Sequence, residues 1–174
     1  MFLASLFLMS CTSQTKTEMQ TVSRLDIKRF MGDWYVIANI PTFLERDATN
    51  PIESYLLNDD GTIATTFSFN RKDADGRRVE LKAKGFIRDT DSNAVWGMQF
   101  VWPIKADYRV VYLDPNYQTT IIGRNKRDYL WIMSRKPQLS EEELQNLLTI
   151  AVNLGYDRSK IQITSWQQPL AEAG

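Results

Sequence analysis

This chain of 174 residues contains no histidine, so the commonest general base and the commonest zinc ligand are both missing. Its single cysteine, Cys11, excludes an intramolecular disulfide and a cysteine-rich metal site. Glycine is sparse, at eight residues, and neither a Gly-rich phosphate loop nor a nucleophile elbow is present. Neither sign of charge prevails: 21 Lys and Arg balance 21 Asp and Glu. Bulk nucleic-acid binding needs a basic face to displace counterions from phosphate, and this balance argues against it. No apolar run approaches the roughly 20 residues that cross a bilayer as a helix. What is plentiful is aromatic side chain, with five Trp, seven Tyr and eight Phe. A chain poor in catalytic groups and rich in rings suits holding an apolar molecule better than transforming one. Its length fits one domain with a substantial core.

Residues 1–10, MFLASLFLMS, are apolar and uncharged, and a polar stretch without periodicity follows Cys11. The apolar run fits the core of a secretory signal. Leu8-Met9-Ser10-Cys11 resembles a bacterial lipobox, although no Lys or Arg precedes the run. That resemblance implies cleavage before Cys11, diacylglycerol on its sulfur and acylation of the new amino group. One acyl chain anchors marginally, at about 0.8 kcal/mol per buried methylene, so several are needed for a stable anchor. The alternative is an apolar N-terminal strand with an ordinary buried Cys. Thr12 rather than Asp follows the Cys, which by analogy with enterobacterial sorting implies the outer membrane, facing the periplasm. The expected organisation is a lipoprotein signal over 1–10, a lipidated flexible tether over 11–23 and a folded domain over 24–174.

Beyond Arg24 the chain alternates. Gly32 to Ile40, Ile52 to Asn58, Ile63 to Asn70 and Val79 to Phe86 read as strands. Trp96 to Phe100, Tyr108 to Tyr112, Gln118 to Gly123 and Tyr129 to Ser134 continue the series. Asp59-Asp60-Gly61, Asp75-Gly76 and Asp114-Pro115-Asn116 supply turns, since Gly and Asn or Asp accept the required backbone angles. About eight strands with short polar turns predict an antiparallel meander. Closing it removes exposed edges and leaves room for one small ligand. The fold class is therefore all-β: an eight-stranded antiparallel up-and-down barrel. An outer-membrane pore fits less well, because a well-marked helix follows. Ser140 and Glu143 form a capping box, and Leu144, Leu147, Leu148 and Ala151 share one face. Gly155 is a natural stop. This C-terminal α-helix should pack outside the barrel, with Ile161 and Ile163 in a short closing strand.

Gly32-Asp33-Trp34-Tyr35 matches the Gly-x-Trp-Tyr motif that opens the first strand of lipocalins. Leu25 to Met31 is similar to the family's lead-in helix. Asp114-Pro115-Asn116-Tyr117 falls at the second motif without its usual Thr-Asp-Tyr, and Arg127 to Arg135 resembles the last barrel strand with its motif arginine. The helix and Gln167-Gln168-Pro169 are also similar to those of bacterial lipocalins. The whole, from Leu25 to Pro169 with a lipobox upstream, resembles an outer-membrane lipoprotein lipocalin (calycin superfamily). The resemblance implies structural roles for Gly32, Trp34, Tyr35 and Arg135, with Trp34 plugging the closed end and Arg135 across its indole. It also implies a lipid ligand, a fatty acid or lysophospholipid, stored or transported in the cell envelope.

Period-two counting nominates an inward ligand-binding set of Tyr55, Phe67, Phe69, Trp96, Met98, Phe100, Tyr108, Tyr112 and Trp131, joined by Val36 and Ala38. Tyr hydroxyls and the Trp131 N–H are expected to meet a head group, with Glu53 and Arg46 at the mouth. The same rings would equally fill a small barrel. A lipid-modifying enzyme is the alternative from another class. The isomerase type, by resemblance, needs a cavity thiol that this chain lacks, and Glu53, Asp107 and Asp128 read as strand-end or rim carboxylates. A third reading is an envelope scaffold binding a partner through Arg71, Lys72, Arg77, Arg78 and Lys82, which otherwise form a solvated hairpin. No cofactor and no metal are expected. A homodimer stays open.

Overall fold

The computed structural model describes residues 18–71 and 76–166. Cys11, the signal, Lys72 and Gln167-Gln168-Pro169 lie outside them. A short helix α1 (Ile27–Phe30) is followed by β1 (Gly32–Ile40), β2 (Ala48–Leu57), β3 (Ile63–Arg71) and β4 (Arg78–Ile87). Then come β5 (Val95–Val101), β6 (Ile104–Leu113), β7 (Thr119–Gly123), β8 (Leu130–Ser134), helix α2 (Glu141–Asn153) and β9 (Gln162–Ile163). Every consecutive pair from β1 to β8 is antiparallel, and β8 returns to β1, so the eight-stranded sheet closes. β9 adds to β1 beyond the closure.

Two strands, β2 and β6, start four residues earlier than alternation indicated. β2 begins at Ala48 because a register shift between Thr49 and Ile52 absorbs Pro51, and a bulge is where a sheet accommodates proline. β6 begins at Ile104, since Val101 already pairs with Ile104 and only Trp102-Pro103 forms the turn. The expected tether is also shorter. Met19 is buried, its N–H donates to Asn125 Oδ1 at 2.8 Å, and Val22 N–H bonds to Val110 O at 3.0 Å. Residues 18–23 therefore run along the barrel rather than away from it.

Two apolar cores result. One fills the lower barrel around Phe30, Trp34, Tyr55 and Trp96. The other lies outside the wall, where Leu144, Leu147, Leu148 and Ala151 of α2 meet Ile37, Ile121, Leu130 and Ile132. The α2 start is fixed by its capping box: Ser140 N–H donates to Glu143 Oε2 at 2.9 Å, and Glu143 N–H to Ser140 Oγ at 3.2 Å. Gly155 ends the helix at φ +90°, a conformation open to glycine.

β-bulges decide which wall faces which core. In β1, Val36 pairs with Met133 and Ala38 with Ile132, so one extra residue intervenes. Val36 faces the interior as expected, but Ala38 faces the outer core under α2. In β6, Val110 pairs with Ile122 and Tyr112 with Ile121, again with one residue extra. Tyr112 therefore packs in the outer core, which corrects its expected inward placement. A bulge shifts the alternation by one and moves every later side chain to the other face.

Candidate functional site

One end of the barrel is shut by residues of the opening motif. Phe30 of α1 stands over the barrel with its ring 5.0 Å from Trp34 and 5.7 Å from Trp96. Trp34 Nε1 donates to Phe30 O at 2.8 Å. The Arg135 guanidinium lies 3.8 Å over the Trp34 ring, as the motif implies. Its Nη1 donates to Asp33 O at 2.7 Å, and its Nη2 to Met31 O, Phe30 O and Arg29 O at 2.8, 3.0 and 3.1 Å. Tyr35 lies on the outside, against the α2 core. At the same end, Asp114 accepts from Asn116, Gln118 and Thr119 N–H groups and so shapes the β6–β7 turn.

Above this floor lies a cavity of about 290 Å³, open between the loops at the other end. Tyr55, Phe67, Met98, Phe100, Tyr108 and Trp131 line it, together with Leu81 and Met133. Phe69 and Trp96 are interior but do not line it: Trp96 stacks under Tyr108 at 5.2 Å, and Phe69 lies against Phe67. Tyr112 takes no part. The volume sits at the lower edge of typical small-molecule sites, about 300 Å³ upward, which are likewise mostly apolar with few polar groups.

The polar groups here differ from those alternation nominated. Glu53 lies in the cavity wall rather than at the mouth, because it pairs with inward-facing Trp34 and Phe67. Two residues from Tyr55 on one strand, it belongs to the same face; that spacing was the available signal. Thr65 stands likewise two residues from Phe67. Burial, reinforced by the charge of Glu45, pushes the Glu53 carboxyl well above the usual carboxylate range. Tyr55 and Tyr108 share a 2.6 Å hydrogen bond between their hydroxyls. Burial and then Glu53 hold both phenols well above their ordinary range, so both stay protonated. The Trp131 N–H does not await a head group: it donates to Glu45 Oε1 at 3.0 Å. Thr42 N–H donates to Glu45 Oε2 at 2.7 Å, so Glu45 ties the β1–β2 loop across the opening. Burial raises Glu45 too, opposed by these hydrogen bonds. No sequence signal marked Glu45, since loop residues carry no period.

The remaining acid–base candidates serve loop structure. Asp107 takes Arg109 Nε at 3.1 Å and Asn125 N–H at 2.7 Å. Asp128 pairs with Arg124 at 3.4 Å. Arg46 is exposed and borders a separate polar recess. In the β3–β4 hairpin, Arg78 is engaged by Asn70 and Ser68. Among the described residues, no group of three or more His, Cys, Asp or Glu is placed to hold a metal.

The rim is apolar and unusually exposed. Phe43 and Leu44 on the β1–β2 loop, and Val101, Trp102 and Ile104 at the β5–β6 turn, stand out from the barrel. Trp102 is 82% exposed and Phe43 is 74% exposed, although the interior has room for rings. Concentrations of exposed apolar surface of this kind mark interaction sites.

Comparison with known proteins agrees with this architecture. The family model for a lipocalin-like domain matches residues 25–166. Temperature-induced lipocalin-1 of Arabidopsis thaliana is 37% identical over 158 residues, covering 86% of this chain and 83% of the relative. Outer membrane lipoprotein Blc of Escherichia coli is 32% identical over 158 residues, covering 90% and 89%. Insecticyanin from the tobacco hornworm Manduca sexta superposes with a TM-score of 0.67 at 18% identity, covering 87% and 86%, and so shares the fold. With its closed barrel, plugged floor and apolar cavity, the chain belongs to the lipocalin-like family.

Proposed function

We propose that this protein is a membrane-anchored carrier that stores or transports fatty acids or lysophospholipids in the cell envelope. The observation that carries the reading is the cavity of about 290 Å³, walled by rings and methionines inside a closed barrel. Burying an acyl chain there yields about 25 cal/mol per Å² of apolar area removed from water. A scaffold with an incidental interior would have its rings packed solid; an apolar-lined opening favours the carrier. A lipid-modifying enzyme is less well supported, because Asp107 and Asp128 are engaged in loop contacts, Glu53 stands in the cavity wall with no histidine in the chain to work with it, and among the described residues no thiol lines the cavity.

The anchor is the acylated Cys11, and the outer membrane, with the barrel facing the periplasm, is the proposed location. The lipobox and the relative called an outer membrane lipoprotein support this. The exposed rim suits transfer at a lipid surface, where Trp102, Phe43 and Leu44 exchange water for acyl chains. Native mass spectrometry of lipid co-purifying with the protein, with displacement of a fluorescent fatty acid, tests the carrier. A barrel that neither retains nor binds lipid refutes it. Intact-mass analysis of the membrane-extracted chain, with Cys11→Ser beside it, tests the anchor.

A further inference from the structure

Among the described residues, three buried side-chain polar atoms have no hydrogen-bond partner: Glu53 Oε2, Thr65 Oγ1 and Arg124 Nε. All three residues line the same cavity. Buried polar groups are nearly always satisfied, so orphans gathered on one cavity point to a ligand that completes them. Elsewhere in the interior the rule holds: the Tyr55 and Tyr108 hydroxyls bond each other, and Trp34 and Trp131 each donate to oxygen.

The orphans lie in two places. Glu53 pairs with Phe67, and Thr65 with Tyr55, so Glu53 and Thr65 are diagonal neighbours on the inner face of β2 and β3. They sit beside the Tyr55–Tyr108 hydroxyl pair near the floor. Arg124 belongs to the β7–β8 loop at the opening. Its Nη1 holds Asp128, and its guanidinium lies 5.1 Å from the Tyr129 ring, leaving Nε unused.

A plain acyl chain lowered into this cavity would press methyl and methylene groups on Glu53 and Thr65 and keep them unsatisfied. A carboxylate driven in head-first would lose its water at an inner end where, among the described residues, no Lys or Arg lines the cavity to balance its charge. An uncharged hydroxyl avoids both problems, because it donates and accepts at once and brings no charge. We infer that the inner end of the cavity, at Glu53 and Thr65, is a subsite for a hydroxyl group, so that the preferred ligand is an acyl chain oxygenated at its buried end. The ligand's acidic or ester oxygen then lies at the opening, within the sphere of Arg124 Nε. This rests on the acyl-chain reading proposed above and narrows it to a chain bearing oxygen at both ends.

The test compares fatty acids with their ω-hydroxy derivatives of matched length, as competitors of a fluorescent fatty acid on the full chain held in amphipol. The ω-hydroxy acids are expected to displace the probe at about tenfold lower concentration, the worth of one buried group gaining its partner. In Thr65→Val and Glu53→Leu, which keep shape while removing the polar atoms, that preference falls towards unity, with melting curves confirming that both variants fold. Equal affinities in the unaltered protein mean that water serves the inner atoms and overturn the inference, while the carrier reading stands. A preference that survives both substitutions also overturns it. If no competitor and no probe binds, the acyl-chain reading itself falls.

Discussion

Replacing Arg135 by lysine isolates what the guanidinium does at the closed end. Arg135 bonds the carbonyls of Asp33, Met31, Phe30 and Arg29 and covers the Trp34 indole. Lysine keeps the charge but gathers its donors on one nitrogen and has no planar face to stack. At least two charge-assisted bonds are lost, at about 1.5 kcal/mol each, the low end of the range because the group is half-exposed. Those carbonyls can recover water, and the π contact contributes about 0.5–1 kcal/mol, so the net cost is about 2–3 kcal/mol. For a domain of this size each kcal/mol moves Tm by about 2–4 °C, which gives a fall of about 5–10 °C. Thermal and urea melts measure it, with ligand affinity as the control, since Arg135 does not line the cavity. A Tm within about 2 °C of the parent would refute the idea that this fork holds α1 against the barrel.

Other outcomes follow from the same geometry. Trp34→Ala empties a fully buried site and should cost about 3–5 kcal/mol, lowering Tm more than affinity per folded molecule; an unchanged Tm counts against its plug role. Glu53 should make stability depend on pH: above its ordinary value of 4.5 the folded state keeps a proton that the unfolded chain has released, so stability falls as pH rises towards the raised value. Urea melts at several pH values should show that slope, and Glu53→Gln should reduce it to the lesser contribution of Glu45. Tyr112→Ala should lower stability through the α2 interface and leave lipid affinity unchanged; weaker binding at full folding would contradict its outward placement. Trp102→Ser should weaken association with lipid vesicles, read by co-sedimentation, without altering the melting curve.

Much of the wall was legible because alternation is a local signal. Tyr55, Phe67, Met98, Phe100, Tyr108 and Trp131 line the cavity, on strands that polar turns separate clearly. Where a strand bulges, the same counting fails: Ala38 and Tyr112 each follow one extra residue that no side chain announces. Glu53 departs from its expected place for a different reason. A carboxylate is expected in water, yet the period of two that puts Tyr55 inside puts Glu53 inside as well. Residues 18–23 look like a polar tether because the contacts that hold them to the barrel, from the Glu18 carboxylate to Arg109 and from the Met19 and Val22 backbone, follow no period.

The sequence by itself determined the antiparallel meander, the capped helix α2, and the Trp34 and Arg135 motif. These depend on residues close in the chain, or on spacings that a pleated strand and a helix impose. Only the tertiary structure decided which residues face the cavity after each bulge, that Glu45 bonds Trp131 across the opening, and that Glu53 and Thr65 stand unpaired inside. Those outcomes depend on how distant strands register against one another as the sheet closes, and register is a property of pairs of strands that neither strand encodes alone.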